Sequence, residues 1–94
     1  MEKEEKRLSI LVTGRVQGVG YRFFAKEASD MYGINGWVRN CFNGSVELEA
    51  QGNSELLKQF IKELKKGPMM GHVSDIQSRE IVLVEGEKLF SVRY

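Results

Sequence analysis

At 94 residues the chain is one domain with a single hydrophobic core. Apolar side chains make up 41% and charged ones 29%, an ordinary globular mix, and a net charge of +1 argues against a general nucleic-acid binder. Cys41 is the only cysteine, which excludes an internal disulfide and a Cys/His zinc set and points to the reducing cytoplasm.

The opening "MEKEEKR" is charged and lacks the apolar core of a signal peptide. Residues 1–6 are expected as a charged tail and residues 7–94 as the domain. No apolar run reaches the length that spans a bilayer. "RLSILVTG" has β-type composition, with Leu8, Ile10 and Val12 on one face and Gly14 expected to end the strand. From Arg22 to Tyr32 the period becomes helical. Phe24, Ala28 and Met31 form the apolar side, Lys26, Glu27 and Asp30 the polar side, and Gly33 the C-cap.

"GWVRNCF" reads as a short strand, and Asn43-Gly44 after it is a hairpin signal. In "SVELEAQG", Val46, Leu48 and Ala50 alternate with Glu47, Glu49 and Gln51, so one face is expected to pack and the other to meet water. A second helix starts at a cap on Asn53 or Ser54. Its stripe is Leu56, Leu57, Phe60, Ile61 and Leu64, and Gly67-Pro68 stops it. "HVSDIQSREIVLV" reads as a long strand with room for a bulge, "EGEK" as a turn and "LFSVRY" as a last strand. This order predicts an α+β, ferredoxin-like sandwich: βαββαβ plus a C-terminal strand, with two helices on one face of a mostly antiparallel sheet. Many functions use that architecture.

Chemistry enters at "TGRVQGVGYRFF". The loop from Gly14 to Tyr21 joins a strand to a helix N-terminus, where free amides and the dipole favour an anion, and glycines let those amides turn inward. It is not a known nucleotide loop. A dinucleotide fingerprint from Gly18 would need glycine at Phe23, and no Gly-Lys-Ser/Thr run exists. Arg22 stands where a cation is disfavoured unless an anion sits beside it. A surface arginine after a glycine turn is the competing reading, and both stay open on spacing. Asn40 is likewise a poor strand residue whose amide suits a water or a substrate oxygen, or simply a bulge or turn.

"GRVQGVGYR", a helix, then "GWVRN", "NGSVELEAQG" and "KKGP" together resemble the acylphosphatase family, over Leu8 to Tyr94. "LFSVRY" resembles its last strand. The resemblance implies an enzyme that hydrolyses acyl phosphates, such as 1,3-bisphosphoglycerate or carbamoyl phosphate, to a carboxylate and phosphate. It implies no metal and no cofactor. The phosphate cradle would be the backbone of Arg15, Val16, Gln17, Gly18, Val19 and Gly20. Arg22 would be the catalytic arginine and Asn40 the residue that orients water, while the Arg15 side chain would be dispensable. The implied partners are a small-molecule acyl phosphate and inorganic phosphate, the latter as product and competitive inhibitor. No nucleic acid and no membrane are implied, and the protein would be a cytoplasmic monomer.

Other residues have plainer readings. His72 has no carboxylate or nucleophile at a useful spacing and is expected to be non-catalytic; Cys41 is expected to be a packing or half-exposed thiol. Glu47 and Glu49 are expected on a solvated face, Tyr21 lining the site or packing beneath the loop, and "MMG" away from the chemistry. Two rival functions remain. RNA-recognition domains share the architecture, but their stacking aromatics have no counterpart in "SVELEAQG". A non-catalytic anion- or carbamoyl-phosphate-binding regulatory domain, of the kind found inside larger hydrogenase-maturation proteins, would carry the same motifs. The acyl side is expected to be loosely gripped.

Overall fold

A computed structural model describes residues 4–94. The elements in chain order are β1 (Glu5–Arg15), α1 (Tyr21–Tyr32), β2 (Asn35–Asn40), β3 (Val46–Asn53), α2 (Ser54–Lys66), β4 (His72–Ile81) and β5 (Phe90–Val92). They form one five-stranded sheet in the order β4-β1-β3-β2-β5. All neighbours are antiparallel except β2 and β5, which are parallel. α1 packs on β2 and β5, α2 on β3 and β4, and the helices touch each other. This is the ferredoxin-like sandwich with its extra C-terminal strand. Residues 1–3 of the expected tail lie outside the described residues, and β1 already begins at Glu5.

The core is where alternation predicts it on the strands. Ile10 and Val12 of β1, Val38 of β2, and Val46, Leu48 and Ala50 of β3 are buried against Ala25, Ala28, Leu57, Phe60 and Leu64 of the helices. The α1 stripe is rotated from the one expected. Met31 is 69% exposed, and the buried line runs through Tyr21, Ala25, Ala28 and Ser29, with Phe24 partly covered. Burying the Tyr21 ring, whose hydroxyl donates to Leu64 O at 2.7 Å, outweighs burying Met31, and the two alanines let the helix approach the sheet. In α2, Asn53 is the cap, accepting from the N–H of Glu55 and Leu56 at 2.9 and 3.2 Å. Leu56, expected in the stripe, faces solvent.

Three strand boundaries move. Gly14 does not end β1: the strand continues to Arg15 through a shift of register against β4 between Thr13 and Gly14. At φ 126°, a Cβ on Gly14 would stand 2.2 Å from His72 O, so the glycine serves a bulge in close contact with the next strand. The expected strand 36–42 stops at Asn40, because Cys41 N bonds Ser45 O and the chain turns. β4 stops at Ile81, and Val82, Leu83 and Val84 leave the sheet.

The last change explains a correction on the open face of the sheet. Gln51 does not meet water: it is 7% exposed and exchanges two 2.9 Å bonds with the backbone of Val84. Glu49 pairs at 2.9 Å with Arg7, which is only 2% exposed and also binds Glu87 at 2.7 Å. Glu47 pairs with Arg39. The β4–β5 connection therefore crosses the sheet as a strap over an arginine that needs its carboxylates, because a buried charge is costly without them. Asn35 fixes the same strap through Glu87 O at 3.0 Å.

Candidate active site

The loop between β1 and α1 is shaped by two glycines with left-handed backbone, Gly18 (φ 75°) and Gly20 (φ 81°). A Cβ at either would meet open space, so their requirement is conformational rather than steric. Gly20 is the N-cap of α1 and supplies no side-chain acceptor, and the first turn carries no acid. The dipole and amides at this helix start therefore face the loop without a carboxylate from their own turn. Val16 anchors the loop in the core and Val19 packs beneath it. Gly71 supports it from behind: a Cβ there would lie 3.1 Å from Arg15 O and 3.2 Å from the Val19 side chain. "MMG" is thus beside the loop, contrary to expectation, although Met69 and Met70 themselves point to solvent.

Arg22 and Asn40 come together. Both line a cavity of about 220 Å³ with Val16, Gly18, Gly20 and Tyr94. Arg22 lies in the first turn of α1 and Asn40 closes β2, so a helix start and a strand end converge on one volume. Arg15 is exposed and Val19 lies under the loop; neither lines this cavity. Tyr21 both lines the cavity and packs beneath the loop. Burial pushes its phenol well above the usual tyrosine range, so near neutral pH it is a donor to Leu64 O and no base.

Two contributors escaped the sequence reading. Gln17 was assigned only a backbone role, yet its Nε2 donates to Cys41 O at 2.7 Å and Ser45 O at 2.8 Å, tying the loop to the turn after Asn40. The C-terminal residues hold Arg22: its Nη1 donates to Arg93 O at 3.0 Å, and its guanidinium lies 4.4 Å from the centroid of the Tyr94 ring. A partner 71 positions away leaves no local signal. The final "RY" after the last strand was the only visible trace.

Further round the site, Arg39 bonds Glu47 through Nε at 2.9 Å and Nη2 at 2.8 Å, and that hydrogen-bonded carboxylate raises its pKa further. Cys41 is half-buried, as expected, with its sulfur 3.9 Å from Glu47 Oε1. Among the described residues no three His, Cys, Asp or Glu side chains gather closely enough to hold a metal ion. No helix of the described residues is long and apolar enough to cross a membrane.

The sequence profile of the acylphosphatase family matches residues 8–92. The chain belongs to the acylphosphatase family. It is 42% identical over 88 residues to the acylphosphatase of Clostridium beijerinckii, covering 94% of this chain and 98% of that protein. It superposes on the crystal structure of acylphosphatase from Bacillus subtilis with a TM-score of 0.91 and 37% identity, over 97% of this chain and 100% of the other. Full-length HypF, in its phosphate- and nucleotide-bound form, also contains a similar region (TM-score 0.84, 28% identity), but that region is 12% of its chain. Identity and matched length both side with the acylphosphatases, which are enzymes, over the regulatory alternative.

Proposed function

We propose that this chain hydrolyses acyl phosphates, with the loop from Arg15 to Gly20 as phosphate cradle, Arg22 as the catalytic arginine and Asn40 as the water-orienting residue. The observation that carries this reading is the convergence of Arg22 and Asn40 on one cavity at the start of α1, which has no side-chain cap and no acid in its first turn.

The chemistry fits so sparse a site. An acyl phosphate expels a carboxylate whose conjugate acid has a pKa of about 4, so it departs without a general acid. Phosphoryl transfer asks mainly for positioning and charge stabilisation. The loop amides and the Arg22 guanidinium hold the phosphoryl oxygens as charge redistributes. Asn40 directs a water at phosphorus, opposite the leaving oxygen. The water oxygen bonds to phosphorus as the phosphorus–acyl oxygen bond breaks, and both electrons of that bond leave with the carboxylate. Asn40 is no base near neutral pH, so the water proton passes to a phosphoryl oxygen. Neither a metal nor a cofactor enters this scheme.

Inorganic phosphate, as product, competes for the same cradle. A monomer suffices, since one chain supplies every group named, and the free Cys41 suits a reducing cytoplasm. The test is hydrolysis of benzoyl phosphate by wild type, Arg22→Ala and Asn40→Ala, with and without a chelator. Chelator-insensitive turnover that both variants lose is the expected result. Wild-type turnover in Arg22→Ala, or activity abolished by the chelator, would sink the mechanism.

A further inference from the structure

Both contacts that hold Arg22 come from Arg93 and Tyr94, which lie beyond the last strand, since β5 ends at Val92. Whatever fixes those two residues therefore fixes the arginine. The sheet supplies one backbone tie, from Arg93 N to Val38 O at 2.8 Å. The other tie is a side-chain stack: the Arg93 guanidinium lies 4.5 Å from the centroid of the Trp37 ring.

Trp37 stands on the open face of the sheet. It precedes the fully buried Val38 and pairs with Glu49 on β3 and Ser91 on β5. The ring is half-buried and lines no part of the cradle cavity, so it reaches the site only through other residues. Arg39 is 5.8 Å from the same ring, but Glu47 holds it through Nε and Nη2. Among the described residues Arg93 pairs with no carboxylate. Its orienting partner is the indole, the aromatic face best suited to a cation. The line of contact runs from the Trp37 ring to the Arg93 guanidinium, and from the Arg93 carbonyl to Arg22 Nη1.

We propose that Trp37 is a positioning residue for the reaction. By holding the Arg93 side chain it keeps the Arg93 carbonyl and the Tyr94 ring against Arg22, and so presets that guanidinium for the phosphoryl group. The proposal rests on the acyl-phosphate reading and deepens it. Presetting matters because a charge-stabilising group that must first be ordered loses part of its effect.

The experiment measures kcat/KM for benzoyl phosphate in wild type, Trp37→Leu, Trp37→Phe, Arg93→Met and Glu87→Ala, and adds Trp37→Leu to Arg22→Ala. Glu87 belongs to the strap and lines no part of the cavity, so its variant shows what lost stability alone does. Trp37→Leu should lower kcat/KM about fivefold, the worth of a partly solvated cation–π contact. Arg93→Met should do the same, and because Arg93 is exposed it removes the stack without disturbing the sheet. Trp37→Phe should keep at least half of wild-type kcat/KM, since a ring remains. Glu87→Ala should stay within about twofold. In the Arg22→Ala background, Trp37→Leu should cost less than about twofold, because the residue it acts through is gone. Wild-type kcat/KM in Trp37→Leu or in Arg93→Met overturns the proposal and leaves the acyl-phosphate reading intact. So does a loss in Trp37→Phe or Glu87→Ala equal to that in Trp37→Leu, or an undiminished loss in the Arg22→Ala background. No hydrolysis by wild type removes the acyl-phosphate reading and this proposal with it.

Discussion

The Arg22 guanidinium is held from two sides by the end of the chain: Arg93 O accepts from Nη1 at 3.0 Å, and the Tyr94 ring lies 4.4 Å below the guanidinium carbon. Neither partner is an anion, so the arginine is oriented while its positive charge is left uncompensated for an incoming anion. Tyr94→Ala should lower kcat/KM about fivefold, the worth of a partly solvated cation–π contact. Tyr94→Phe should restore at least half of wild-type kcat/KM, since the ring and not the hydroxyl makes the contact. Steady-state kinetics on the three proteins checks this; equal losses in both variants would contradict it.

The two arginines of the loop motif should behave differently. Arg22 lines the cavity with Asn40, whereas Arg15 is exposed and does not line it. Arg22→Ala should cost about 10² to 10³ in kcat, the scale for one preorganised charge-stabilising group. Arg15→Ala should stay within about twofold, as a solvated surface side chain would. A large loss in Arg15→Ala would move the phosphate contact onto that side chain.

These residues also show where sequence was sufficient. The glycines at 18 and 20, the cation at a helix start and the asparagine in a strand are local oddities visible in a few adjacent letters, and the structure brings all four to one cavity. Strand alternation fixed the helix-facing core for the same reason: the period is local. Gln51 and Glu49 leave the solvated face expected of them, and Arg7 gives no local sign of its burial, because the strap that covers them runs from β4 to β5, far along the chain. Met31 was misjudged because the rotation of α1 depends on where the Tyr21 hydroxyl finds its acceptor on α2. Gln17 and Tyr94 act on partners in other elements, which no spacing rule reports.

Gln17 couples the two halves of the site. One amide nitrogen donates to two carbonyls of the turn that follows Asn40. Gln17→Met keeps the bulk and removes both bonds, freeing the end of β2 relative to the loop. We expect kcat to fall about tenfold, because small misplacement of an attacking group is costly. The inhibition constant for inorganic phosphate should stay within about twofold, because the cradle backbone is anchored separately by Val16 in the core. Parallel changes in both quantities would show that Gln17 acts through the cradle itself.

The strap offers a stability test away from the chemistry. Glu87 supplies the shortest ion pair to the almost fully buried Arg7, and Glu49 the other. Glu87→Ala leaves Arg7 half-partnered and should lower the unfolding free energy by about 2 kcal/mol, below the full cost of breaking a buried pair because Glu49 remains. Urea unfolding of Glu87→Ala, Arg7→Met and the double variant should give a coupling energy above about 1 kcal/mol. Additive losses would mean that the pair holds nothing together.

Tyr21 gives the fold a pH dependence on the alkaline side. Its hydroxyl donates to Leu64 O at 2.7 Å, and burial raises its pKa above the ordinary value of 10.0. Above that pH the unfolded chain loses the phenolic proton while the folded chain keeps it, so the unfolded state binds fewer protons and stability falls as pH rises. The contribution is fully present below pH 10.0 and is lost progressively above it. Tyr21→Phe removes the titrating group and the hydrogen bond together. At neutral pH it should be less stable by about 1 kcal/mol, the typical net worth of one buried hydrogen bond. Between pH 10 and 11.5 its melting temperature should decline less steeply than that of wild type. Parallel Tm profiles for the two proteins over that range would show that Tyr21 ionises as freely in the folded chain as in the unfolded one.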